Sequence, residues 1–300
     1  NSSAAIPVAD AAPTCGAYTF TTPSPYNGMV QFNLRANDDW SLRSFGSSRL
    51  VNVSTNSIVN IIQPYNPTYW PIRSPVTMSS DSRLAPLSGN FSFNAASIVS
   101  GSYRIESSLG DTYGNRINCI SNIFSIDTTP PVCDATNPIV VQTTSGVVVP
   151  SPTDTNNLVI KSTARDANSR LRRVTFYVVP NGTPLANIPS PGVSVYTATV
   201  NVPNFATQTI GTPVTVTTPA PGWIVNTTQR NRYVIYAQWE DESGNMPNGA
   251  NNCSLPYEIG SRYRVNVNVP SDSGFSRARF EDNSTEFKFI AQRNSEPWPA

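Results

Sequence analysis

The chain has 300 residues and almost no net charge, with 20 Lys and Arg against 19 Asp and Glu and only 13% charged residues, so it carries no electrostatic footprint for nucleic acid or an anionic membrane. At 38% hydrophobic residues it has too much apolar side chain for a disordered polymer, yet no run approaches the roughly 20 apolar residues that would span a bilayer. Histidine is absent, which excludes a His-dependent catalytic triad and a His-ligated zinc site.

In chain order, the first segment, 1–14, is an arm of small residues, Ala4-Ala5-Ile6-Pro7-Val8-Ala9 among them, without the basic and long apolar regions of a signal peptide. The chain therefore reads as a processed, soluble product. Strand-like runs of β-branched and aromatic residues follow, bounded by Gly, Pro, Asn and Asp: Met29 to Leu34, Phe91 to Phe93, Val174 to Val179, Val193 to Val200, Val214 to Thr218 and Tyr263 to Val269. Strand alternation puts Val174, Phe176 and Val178 on one face, and Tyr233, Ile235, Ala237 and Trp239 on another; such faces require a covering sheet. Between the first two runs lies a long insertion, Val59 to Thr77, whose Tyr65, Tyr69 and Trp70 sit in a proline-stiffened loop. They either pack beneath that loop or present flat aromatic area to a glycan or protein. After the last run, Ser271 to Ala300 contains Arg277 to Phe280 and Phe287 to Ile290, which alternate like strands.

An internal repeat divides the chain. Tyr103 to Asn115 aligns without gaps on Tyr233 to Asn245, sharing a Tyr, an Asp eight residues on, and a Gly-Asn. Leu34 to Asp38 matches Ser162 to Asp166, and each unit carries a cysteine near its start and another just after the repeat, Cys15 and Cys119, then Cys133 and Cys253. Of the three connectivities, only Cys15 with Cys119 and Cys133 with Cys253 repeats identically in both units, so that pairing is expected. The join falls in Ile126-Asp127-Thr128-Thr129-Pro130-Pro131-Val132, where paired prolines cannot donate to a ladder. The expected division is an arm at 1–14, domains at 15–128 and 129–270, and an extension at 271–300.

These elements resemble bacterial immunoglobulin-like domains of surface proteins, often tandem. In that group a late strand leads into an Asp-x-x-Gly-Asn turn, here Asp111 to Asn115 and Asp241 to Asn245. A final strand and an Asp-x-Thr-Pro-Pro linker follow, here Asp127 to Pro131. The cysteines and the long insertion depart from the plain module. The resemblance implies an all-β protein of two tandem Ig-like β-sandwiches, secreted to the extracellular space or cell surface.

The chemistry-bearing candidates are few. Asp111, or Asp241 with Glu240 and Glu242, offers hard oxygen donors to calcium, with Asp38 or Asp166 as neighbours. Turn geometry alone demands the same residue types, however, so no metal and no cofactor is expected. Glu106 with Asp111, and Glu240 with Asp241, are candidate glycosidase pairs, but exposed turn acids are far commoner and no nucleophile elbow or phosphate loop accompanies them, so no enzyme is expected. Sequons place candidate glycans at Asn52, Asn90, Asn181, Asn226, Asn252 and Asn283, besides Asn1. The reading is a structural extracellular protein that assembles head-to-tail with copies of itself into a layer, appendage or fibre. The alternative is an adhesin or carbohydrate-binding module using Tyr65, Tyr69 and Trp70.

Overall fold

The computed structural model describes residues 11–37, 42–62, 87–111, 114–153, 155–183, 193–225, 231–247, 252–260, 275–282 and 287–293. Strand is the dominant element throughout, and the described residues form two units, Asn1–Gly260 and Ser261–Ala300. Tyr65, Tyr69, Trp70 and the Tyr263 to Val269 run lie outside the described residues.

The first unit holds two sandwiches in sequence. In the first, β1 (Thr14–Phe20), β2 (Met29–Asn37) and β5 (Leu87–Asn94) form one antiparallel sheet in the order β1-β2-β5. Its partner runs β4 (Ile58–Ile62), β3 (Leu42–Asn52), β6 (Gly101–Asp111) and β7 (Arg116–Ile120), with β8 (Phe124–Ile126) also pairing β6. Strand alternation builds the core between them. Val30, Phe32, Leu34 and Ala36 point inward from β2, and Tyr103, Ile105 and Leu109 from β6. The Phe32 and Phe91 rings stack at 5.0 Å between centroids. Tyr103 lies near the start of β6 and donates its hydroxyl proton to the Val99 carbonyl 2.5 Å away, the tyrosine corner by which immunoglobulin-like sandwiches pin the turn before this strand.

In the second sandwich, β10 (Ile139–Thr143), β11 (Asn157–Arg165) and β14 (Val214–Thr217) make one sheet, with β9 (Val132–Cys133) and β15 (Trp223–Ile224) also pairing β11. The opposite sheet is β13 (Tyr196–Asn201), β12 (Leu171–Pro180), β16 (Asn231–Asp241) and β17 (Cys253–Ile259) in that order. Val174, Phe176 and Val178 are fully buried on β12, as are Ile235, Ala237 and Trp239 on β16. The strand expected from Val193 begins only at Tyr196, with the 53% exposed Val195 just before it donating its N–H to the Val178 carbonyl.

A disulfide ties the beginning of each sandwich to its end. Cys15 on β1 is bonded to Cys119 on β7, and Cys133 on β9 to Cys253 on β17, each with Cα atoms 5.5 Å apart. The two repeats therefore share one plan. Tyr103–Asp111 and Tyr233–Asp241 occupy corresponding inner strands, β6 and β16, each flanked by the strand that carries the second cysteine.

In the second unit, β18 (Phe275–Asp282) and β19 (Phe287–Arg293) pair with each other as an antiparallel hairpin, with Phe280 opposite Phe289. The two alternating segments of the C-terminal extension are thus one element.

Candidate functional site

Three aspartates from three segments converge between the two sandwiches. Asp127 follows β8 and opens the linker; Asp166 follows β11; Asp241 is the last residue of β16. Ladder pairing explains the approach of the latter two: Leu171 at the start of β12 lies opposite Asp241, so the turn that precedes β12 and contains Asp166 is carried to the end of β16. One carboxylate oxygen from each aspartate lies within 4.8 Å of the others, and the residues are only 0, 3 and 0% exposed in chain order.

Each carboxylate is held by its own turn. Asp241 accepts from the Asn245 backbone N–H at 2.8 Å through Oδ1 and from Asn245 Nδ2 at 2.8 Å through Oδ2. Asp166 Oδ1 accepts from the Asn168 and Ser169 N–H groups at 2.8 and 2.9 Å. Asp127 Oδ1 accepts three donors, Thr129 N at 3.0 Å, Thr129 Oγ1 at 2.8 Å and Ser100 Oγ at 3.2 Å, whereas its Oδ2 is buried without a hydrogen-bond partner. Burial pushes the Asp241 carboxyl up to about 7, against the pull of its Asn245 bonds, and the negative charges of Asp127 and Asp166 push the same way. Burial also raises Asp166, again with Asp127 adding to the effect. Ionised carboxylates at this spacing and burial repel one another strongly, a penalty that a bound proton or cation relieves.

The same residues join the sandwiches. Asn245 Nδ2 donates to the Asp127 carbonyl at 2.9 Å, Asn27 Nδ2 donates to Asn245 Oδ1 at 3.0 Å, and Asn168 Nδ2 donates to Thr129 Oγ1 at 2.7 Å. Asn245 thus caps its own turn and grips the linker at once.

The other sequence candidates are arranged differently. The expectation of no metal ligands rested on single turns, and a turn by itself does satisfy Asp111, whose carboxylate accepts from Gly114 N, Asn115 N and Asn115 Nδ2 at 2.7, 2.9 and 2.7 Å. Glu240 faces away from Asp241, being next to it on a strand, and is engaged by Arg173 through Nε at 2.6 Å. Glu242 lies 3.9 Å from Arg170, and Glu106 lies 2.7 Å from Arg104. The pairs considered for glycoside chemistry are therefore split between ion pairs and turn caps. Asp38 lies outside the described residues. Sequence reading places Asp127 only in the linker and misses its approach to Asp166 and Asp241. The available signal was its position immediately after the last strand of the first repeat.

Among the sequons, Asn90 and Asn181 are exposed, Asn52 is half-buried with its Oδ1 accepting from Ser54 N, Ser54 Oγ and Thr55 N, and Asn252 is 9% exposed beside Cys253. Asn1, Asn226 and Asn283 lie outside the described residues.

No protein-family model and no curated protein matches the chain. Solved structures with similar folds include the C-terminal domain of the Streptococcus pyogenes antigen I/II-family protein AspA, at 10% identity and a TM-score of 0.33, covering 83% of this chain and 99% of that one. The C-terminal domain of the Streptococcus agalactiae antigen I/II polypeptide BspA is 12% identical with a TM-score of 0.30, covering 82% and 98%. Fibronectin(III)-like modules of Clostridium thermocellum CbhA are 12% identical with a TM-score of 0.28, covering 81% and 92%. At these values the likenesses carry no functional argument. The immunoglobulin-like character of the fold rests on the chain's own paired sheets, cross-sheet disulfides and tyrosine corner.

Proposed function

We propose that this chain is a structural extracellular protein, a non-catalytic subunit of a surface layer, appendage or fibre whose Ig-like domains span 15–128 and 129–270. The observation that carries the reading is the pair of disulfides, each closing a sandwich across 104 or 120 residues of chain, a form of bracing characteristic of oxidising, extracellular settings and rare in the cytosol. Among the described residues no helix is long and apolar enough to cross a membrane. The exposed sequons at Asn90 and Asn181 suit glycan attachment on such a surface.

Head-to-tail assembly has a physical basis in the C-terminal hairpin. A two-stranded hairpin is at best marginally stable alone, and both outer edges of β18–β19 lack a strand partner among the described residues. A neighbouring subunit that adds a strand to such an edge supplies the missing ladder. Electron microscopy with light scattering on natively secreted, oxidised material tests the reading. Regular filaments or sheets support it; a monomer of 32.5 kDa that binds glycans saturably replaces it with the adhesin alternative.

A further inference from the structure

We propose that Asp127, Asp166 and Asp241 form a calcium site that locks the joint between the two sandwiches. The convergence of three buried carboxylates within 4.8 Å is the first observation, and the orphaned Asp127 Oδ2 is the second. Asp127 shows how specific the arrangement is. Its Oδ1 is saturated by three donors from Ser100 and Thr129, which fix the carboxylate plane, and its other oxygen is left buried with no donor at all. A buried carboxylate oxygen without a donor is strongly disfavoured, and an oxygen-seeking cation is the ligand that removes the penalty for all three groups together.

The donor set selects the ion. It contains hard oxygens alone, which fits Ca2+ or Mg2+ over the softer transition metals. The carboxylates come from three separate segments, each held by its own turn. Such an irregular cage suits the larger, geometrically tolerant Ca2+ better than the octahedral Mg2+. A site of this kind is matched to extracellular calcium, with a Kd on the order of 10⁻⁴ M. The mechanical consequence follows from where the ligands are anchored. Asp127 belongs to the end of the first sandwich, and Asp166 and Asp241 belong to the second, so an ion bound to all three fixes one sandwich against the other.

The test uses the full, oxidised chain after chelator treatment. Calorimetric titration with CaCl2 should give one site per chain, and the melting temperature should rise by about 5 °C at saturating calcium. Asp127→Asn retains an acceptor for Ser100 and Thr129 while presenting an amide N–H to the other two aspartates. It should therefore fold at least as stably without calcium, and should weaken calcium binding tenfold or more. Asp134→Asn, at a half-buried carboxylate that caps its own turn outside the cluster, should leave the affinity unchanged. Absence of binding by the unmodified chain up to roughly 10 mM calcium, above the range of extracellular modules, would overturn the proposal. So would unchanged affinity in Asp127→Asn, or a magnesium affinity equal to that for calcium.

Discussion

At the scale of single residues, Trp239 shows how a buried polar atom can tie two sheets together. Its side chain is fully buried on β16, and its Nε1–H donates at 3.0 Å to Ser162 Oγ on β11, which in turn donates to the Pro138 carbonyl at 2.8 Å. Trp239→Phe removes both ring volume and the donor while leaving Ser162 its own acceptor. The second sandwich should lose about 2 kcal/mol, read as a lower guanidinium midpoint by circular dichroism. Gly222 makes a different point. It has φ +78°, and a Cβ there would run into the Leu158 carbonyl oxygen and lie 2.9 Å from Val159 Cγ1. The close approach lets Trp223 pair with Leu158 at the edge of the core. Gly222→Ala should therefore destabilise by about 2 kcal/mol or more in the same assay, combining left-handed strain with overpacking.

At the scale of elements, the disulfides and the repeated turns account for much of what could be read in advance. The Tyr-to-Asp spacing was legible because it is local. Asp111 and Asp241 both bond the backbone N–H four residues on, and that demand writes the same residue types into both copies. The core-facing residues Val174, Phe176 and Val178 on β12 and Ile235, Ala237 and Trp239 on β16 were legible for the same reason, since burial of one face imposes period two. The engagement of Glu240 by Arg173 was not, because it depends on the register of two strands far apart in sequence. Convergence of Asp127 with Asp166 and Asp241 was hidden likewise, for it depends on how a linker docks on the domain it leads into. The disulfide cross-links give the element-scale prediction. Replacing Cys133 and Cys253 together by Ala releases a loop of 120 residues and should cost the second sandwich about 4 to 5 kcal/mol in the chain-entropy model. Guanidinium unfolding of the variant against the oxidised parent measures the difference, and full reduction of the parent should lower its stability in the same direction.

At the scale of the whole first unit, the question is what keeps two separately cored sandwiches in one relation. Among the described residues three side-chain hydrogen bonds do so through Asn27, Asn168 and Asn245, two between the sandwiches and one from Asn168 to Thr129 of the linker, and none of these asparagines belongs to either hydrophobic core. A net contribution of roughly 1 kcal/mol per bond makes the joint comparable to thermal energy a few times over, far weaker than either sandwich. Substituting Ala for both Asn27 and Asn168 removes two of the three bonds and leaves the Asp241 turn and the linker contact of Asn245 in place. The loss of about 2 kcal/mol should raise the population of opened joints about 30-fold. Small-angle X-ray scattering in chelator should then show a larger maximum dimension and a broader distance distribution, while circular dichroism stays unchanged because both cores are intact. An unaltered scattering curve would mean that the linker backbone and its prolines set the relation between the sandwiches by themselves. In that case the asparagines serve the turns, and stiffness in an assembled fibre would come from the chain path.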